Sequence, residues 1–182
     1  MSEFLYKYVD DETYCLIKYI GNDEHVVIPD TYCGRPVTII NDDIFKGHKE
    51  IKSIKLPAGL KALGGFVFDG CENLHEIELP DGLTDIWQYA FVRSGIRSIR
   101  IPGSVKYIIP YVFKDCRNLT RFEAEEGLAK IYNNAFSGCI NLKEVCIHEG
   151  TDLSEKAFDP NQSVKVIVLH YHSAVFDIFP GS

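Results

Sequence analysis

The sequence predicts an α/β repeat solenoid, and three observations carry that prediction. Phenylalanines recur at Phe45, Phe68, Phe91, Phe113, Phe136 and Phe158, at spacings of 23, 23, 22, 23 and 22 residues. Five places ahead of each stands an aliphatic residue: Ile40, Leu63, Ile86, Ile108, Ile131 or Leu153. An apolar-x-x-apolar-x-apolar phrase then opens the next copy, clearest from Ile51 to Leu56 and from Leu74 to Leu79. Chance does not hold this many columns in phase over six copies. Self-similarity at such a period marks units that cannot close a core alone and bury their apolar residues jointly by stacking.

Taken in order, residues 1–20 lie outside the period. Phe4–Val9 and Tyr14–Ile20 are rich in aromatic and branched residues around an acidic interruption, which predicts a β-hairpin covering the open end of the first coil. Residues 21–169 hold the six copies, and the whole chain reads as one domain. The first copy is longer, with a turn at Gly34-Arg35-Pro36. The third is one residue short, because Ser94-Gly95-Ile96 stands where others have Cys-x-Asn-Leu. Residues 170–182 are predicted to form a C-terminal cap, with a short helix begun at Ser173.

A period in this range with this phrase predicts a right-handed leucine-rich-repeat superhelix. Each phrase gives a short parallel strand about 4.8 Å from the next. Irregular or 3-10 segments make the convex side, and the Phe column becomes an internal spine. Positions 1, 4 and 6 of the phrase face inward; positions 2, 3 and 5 face the concave side.

Composition limits the partners. The 182 residues carry a net charge of −7, with 46% apolar and 25% charged side chains. That balance fits a globular domain and argues against nucleic acid, whose binding draws on clustered Lys and Arg. No membrane insertion is expected, since no apolar run approaches a membrane span. The first residues show no basic flank leading into an apolar run, so no signal peptide is expected.

Six cysteines invite a disulfide reading, which their spacing opposes. Cys71, Cys116 and Cys139 share the column three after the Phe. The first two are two coils apart, about 9–10 Å on the strand spacing, too far to bond. Buried thiols at a turn are therefore expected. Asn73, Asn118 and Asn141 precede the opening Leu of three copies, where an amide can satisfy backbone groups of the turn. His170-x-His172 lacks a third ligand, and no nucleophile elbow, zinc helix, Walker loop or dinucleotide fingerprint occurs. No enzyme activity and no cofactor are expected.

Two surfaces remain. Position 2 reads Lys52, His75, Arg97, Thr120, Lys143 and Lys165, nearly all basic in an acidic protein, with Arg121 beside it at position 3. Such a stripe could receive an acidic partner or a sulfated glycan; otherwise it is a solvated face. Position 5 alternates in sign through Lys55, Glu78, Arg100 and Glu123, which predicts a ladder of lateral ion pairs. The second surface is aromatic. Phe66, Tyr89 and Tyr111 stand two before the spine Phe, while Trp87 and Tyr132 follow the inner aliphatic column. They form either an accessible ridge of residues favoured at binding hot spots or a ladder packed on itself.

The recurring Ile/Leu-x-x-Ile-x-Leu-Pro phrase, as in Leu74–Pro80, and Ala135-Phe136-Ser137-Gly138-Cys139-Ile140-Asn141-Leu142 resemble the BspA-like leucine-rich-repeat family. The resemblance covers about residues 26–169. It implies a secreted or cell-surface, adhesin-like protein that binds a protein or glycan ligand, host extracellular matrix included. The alternative is a structural unit that associates with copies of itself.

Overall fold

The computed structural model describes residues 3–10 and 12–170. The chain opens on an antiparallel hairpin, β1 (Glu3–Tyr8) and β2 (Tyr14–Ile20), paired from Glu3↔Ile20 to Tyr8↔Tyr14. Asp10 holds the turn, accepting from the Glu12 and Thr13 amides at 2.9 and 2.8 Å. Those donors favour the ionised carboxyl and draw its pKa below the usual range. The first coil follows as β3 (His25–Val27), β4 (Thr31–Tyr32) and β5 (Arg35–Ile40).

Later coils each contribute two short strands. They are β6 (Ser53–Lys55) and β7 (Ala62–Leu63), then β8 (Glu76–Ile77) and β9 (Asp85–Ile86). The fourth and fifth coils supply β10 (Ser98–Ile101), β11 (Tyr107–Ile108), β12 (Arg121–Ala124) and β13 (Lys130–Ile131). The sixth supplies β14 (Glu144–His148) and β15 (Asp152–Leu153), and β16 (Lys165–Leu169) adds a last rung. Like strands of successive coils pair in parallel, making two ladders along the axis. A third side of each coil is a turn, and it too is bonded coil to coil. Phe45 N donates to Val67 O at 2.9 Å, Phe68 N to Ala90 O at 2.8 Å and Phe113 N to Ala135 O at 3.0 Å.

Both strand ladders stop at the same step. The first runs through Ile54↔Ile77 and resumes at Ser98↔Arg121; the second runs through Leu63↔Ile86 and resumes at Tyr107↔Lys130. Among the described residues no strand pairing joins β8 to β10 or β9 to β11. The turn side continues across, with Phe91 N to Val112 O at 3.0 Å and Arg93 N to Lys114 O at 2.9 Å. Ser104 adds one side-chain tie, its hydroxyl lying 2.7 Å from Asp81 O and against Leu83 O.

The break falls at the short third copy. Gly95 is drawn so close to the second coil that a Cβ there would lie 2.0 Å from Glu72 O, and its amide bonds Cys71 O at 3.0 Å. Length alone does not unpair the strands, since β13 and β15 pair across an equally short step of 22 residues, Ile131↔Leu153. Elsewhere the opening amides reach back regularly, as His75 N to Lys52 O at 3.1 Å and Thr120 N to Arg97 O at 2.9 Å. At the break Gly95 O instead meets the His75 ring, 3.2 Å from Nδ1.

The core follows the expected file. Phe45, Phe68, Phe91, Phe113 and Phe136 are fully buried. Successive ring centroids are 5.8, 5.1, 5.3 and 5.7 Å apart, and half-buried Phe158 extends the file at 5.5 Å. Phe122 sets its edge on Phe113 and Phe136 at 5.9 and 5.1 Å.

One expectation is corrected. The described residues contain no α- or 3-10 helix, so the fold is a β-solenoid, not an α/β one. Each of the first five turns carries two left-handed residues four apart, such as Phe66 and Gly70 (φ 56° and 71°) or Tyr89 and Arg93 (φ 61° and 54°). A right-handed helix cannot run through such positions. The helix expected from Ser173 lies outside the described residues.

Candidate binding surfaces

The turn face is built on strained positions. Two places before the spine, Asp43, Phe66, Tyr89, Tyr111 and Asn134 have φ of 61°, 56°, 61°, 67° and 59°. Asp and Asn enter the left-handed region readily, but bulky residues there cost about 1–2 kcal/mol each. The three aromatic rings stack in return: Phe66 on Tyr89 at 4.7 Å and 13°, Tyr89 on Tyr111 at 5.3 Å and 3°. Each pair recovers about 0.5–1.5 kcal/mol. The Lys46 ammonium lies 5.0 Å over Phe66, and Asn134 Nδ2 donates to the Tyr111 hydroxyl at 3.3 Å. The rings thus pack on one another and present their rims outward.

Trp87 and Tyr132 stand outside that stack. Trp87 is 56% exposed and has no aromatic partner among the described residues. Tyr132 meets the edge of Tyr107 at 6.3 Å, and Lys130 Nζ lies 5.1 Å over its ring. On one side of Trp87 a cleft of about 470 Å³ reaches back over two coils, lined by Asn41, Asp42, Gly64, Phe66, Gln88 and Tyr89 among others. Its floor exists because Gly64 has no side chain: a Cβ there would lie 2.5 Å from Asp42 N. Gly65 N donates to Asp42 Oδ1 at 2.7 Å and fixes the carboxylate at the rim. On the other side a cleft of about 110 Å³ lies at the ladder break, between Trp87 and Tyr107.

The basic stripe is only partly free. Lys52 Nζ bonds Glu24 Oε2 at 2.6 Å, which pulls the Glu24 carboxyl below its ordinary pKa. Arg121 bonds Glu144 at 2.7 Å and Glu123 at 3.0 Å. The His75 ring faces Gly95 O. Arg97 and Lys143 have no ion pair among the described residues, and they line one depression of about 340 Å³ with Asn118, Thr120 and Asn141. The ion-pair ladder expected at position 5 is not formed. Arg100 pairs with diagonal Glu125 at 2.8 Å and Glu123 with Arg121 two places back on its own strand, because long side chains reach such neighbours as easily as lateral ones.

All six cysteines are free thiols. Cys71, Cys116 and Cys139 donate to the carbonyls of Phe45, Phe91 and Phe113 at 3.0, 2.9 and 2.9 Å, stitching each turn to the coil before it. Burial pushes the Cys71 thiol up to about 12, and Cys139 is pushed up by the neighbouring Cys116 thiol and by burial. Asn73 and Asn141 donate to Lys49 O and Arg117 O, each at 2.8 Å. His170 Nδ1 lies 3.3 Å from Glu149 Oε2, and His172 is outside the described residues. No group of three or more His, Cys, Asp or Glu among the described residues is placed to hold a metal.

Sequence reasoning singled out Trp87 but missed Asn41, Asp42, Gly64 and Gln88. The available signal was Gly64-Gly65 in a column that elsewhere holds Asn41, Trp87, Ile109, Tyr132 and Ser154.

Stacked coils of this period, with an aliphatic strand ladder and an aromatic turn spine, define a leucine-rich-repeat solenoid. Residues 38–165 match the model of the BspA-type leucine-rich repeat region in six copies, and the chain belongs to that family. It is similar in structure to a leucine-rich-repeat protein of T. pallidum, at TM-score 0.75 and 26% identity over 92% of this chain and 83% of that one. A leucine-rich-repeat protein from Bacteroides ovatus superposes at TM-score 0.62 and 22% identity, over 92% of this chain and 52% of that one. One from Eubacterium ventriosum reaches TM-score 0.55 and 18% identity, over 81% and 49%. Among curated proteins no match is found.

Proposed function

We propose that the protein is a non-enzymatic binding module whose ligand surface is the turn face, the Phe66–Tyr89–Tyr111 stack with Trp87 beside it. A protein or glycan at a cell surface is the class of ligand, and the role is adhesin-like. One observation carries this reading. Three consecutive copies place an aromatic ring at a left-handed position that Asp43 and Asn134 fill more cheaply in the same column. Strain kept in a run, at the rim of an exposed tryptophan, is the pattern of a surface shaped for contact.

The same column supplies the test. A Tyr89→Asn, Tyr111→Asn double variant keeps residues that the turn already accepts at Asn134. It is expected to fold and melt close to the parent while losing most binding to an array of matrix glycoproteins and glycans. Unchanged binding by this variant sinks the assignment of the turn face.

A further inference from the structure

We propose that the cleft between Trp87 and the Asn41-Asp42 turn is a subsite for a neutral pyranose ring of a glycan chain. The proposal rests on the turn face being the ligand surface, and it names the ligand class. The cleft's volume, about 470 Å³, lies within the range of small-ligand pockets, about 300–1,000 Å³. Its wall is the indole of Trp87, flat, apolar and 56% exposed. A pyranose presents a matching patch of C–H groups on one face and a girdle of hydroxyls around its edge.

The rim supplies partners for that girdle. Asn41 and Gln88 are exposed amides whose side chains bond no protein group among the described residues. Asp42 spends Oδ1 on Gly65 N and has Oδ2 in reserve. Amides and a carboxylate together both donate to and accept from hydroxyls.

Charge removes the competing ligands. No Lys, Arg or His lines the cleft, so a phosphate, sulfate or uronate would meet only Asp42. The Lys46 ammonium, 5.0 Å over the Phe66 ring, is bound to Asp43 at 2.8 Å. Within this cleft a peptide strand finds no free edge, because β5 pairs with β7 and β7 with β9 through Ile39↔Ala62 and Leu63↔Ile86; the unpaired edge of β9 faces the ladder break on the other side of Trp87. Gly64 lets the second coil close on the rim, since a Cβ there would lie 2.5 Å from Asp42 N. Beyond Trp87, exposed Tyr107 and then Tyr132 continue along the axis, so a chain of several sugars meets further rings.

The experiment titrates the emission of Trp87, the single tryptophan, with cellohexaose, laminarihexaose, maltohexaose, mannohexaose and xylohexaose, with a heparin hexasaccharide alongside. At least one neutral hexaose should shift the emission saturably. Affinity electrophoresis in the matching polysaccharide should show Trp87→Ala weakened at least about tenfold, with an unchanged melting curve. Gln88→Ala and Asn41→Ala should each weaken it severalfold. The proposal is overturned if no neutral hexaose shifts the emission, or if Trp87→Ala binds as the parent does. Heparin binding indifferent to Trp87→Ala would also overturn it and move the ligand to Arg97 and Lys143. A protein ligand lost in the Tyr89→Asn, Tyr111→Asn variant, with no hexaose bound, would leave the turn face standing and remove only the sugar.

Discussion

Between the second and third coils three ladders cross: β6 to β8, β7 to β9, and the turn amides beneath Phe68 and Phe91. Between the third and fourth coils the turn ladder alone crosses as a backbone ladder among the described residues, with side-chain ties from the Cys116 thiol to Phe91 O and from the Ser104 hydroxyl to Asp81 O. Yet the spine keeps its spacing over both steps, 5.1 Å from Phe68 to Phe91 and 5.3 Å from Phe91 to Phe113. Continuity of this solenoid is therefore a matter of packed rings first. Strand pairing is the dispensable part: both strand ladders are interrupted at this step while the file of rings runs on.

The comparison can be broken most forcefully at the spine. Phe113→Ala removes a fully buried ring at the step where no strand ladder assists. A loss of about 3–5 kcal/mol is expected, read by urea denaturation, and calorimetry should show the two halves melting apart. A loss below about 1 kcal/mol would mean that something other than the rings joins them. A smaller effect is expected from Gly95→Ala, since its Cβ would press on Glu72 O at 2.0 Å and the backbone must give. Overpacking of that kind costs about 1–3 kcal/mol. A melting temperature equal to the parent's would show that the shortened loop is not held tightly. The smallest change is Ser104→Ala, which removes a hydroxyl tie to Asp81 O and Leu83 O at a cost of about 1 kcal/mol. Amide exchange should quicken around Gly103–Tyr107 and stay unchanged at β12 and β14. Equal protection throughout would show that the tie contributes nothing at that step.

Much of this was legible in the sequence. The Phe and aliphatic columns fixed which residues meet across coils, because period alone brings equivalent positions together. The helical component was wrongly expected because left-handed φ values at Phe66, Tyr89 and Tyr111 have no signature when the residues there are aromatic instead of glycine. The short third copy was visible at Ser94-Gly95-Ile96, but the ladder break was not, since an equally short step from Ile131 to Leu153 keeps its pairing. The ion-pair ladder failed because column position says nothing of how far Arg100 and Arg121 reach. Gly64 went unread because a close approach of two coils is visible only once Asn41-Asp42 and Gly64 are placed against each other.

The step beneath Trp87 has a mechanical meaning. A rod pulled by its two ends yields where the fewest bonds cross its section, and the unpaired strands put that place near the middle of this one. The smaller aromatic cleft lies on the seam and shares Trp87 with the larger one, so tension that parts it would reshape the very walls a ligand touches.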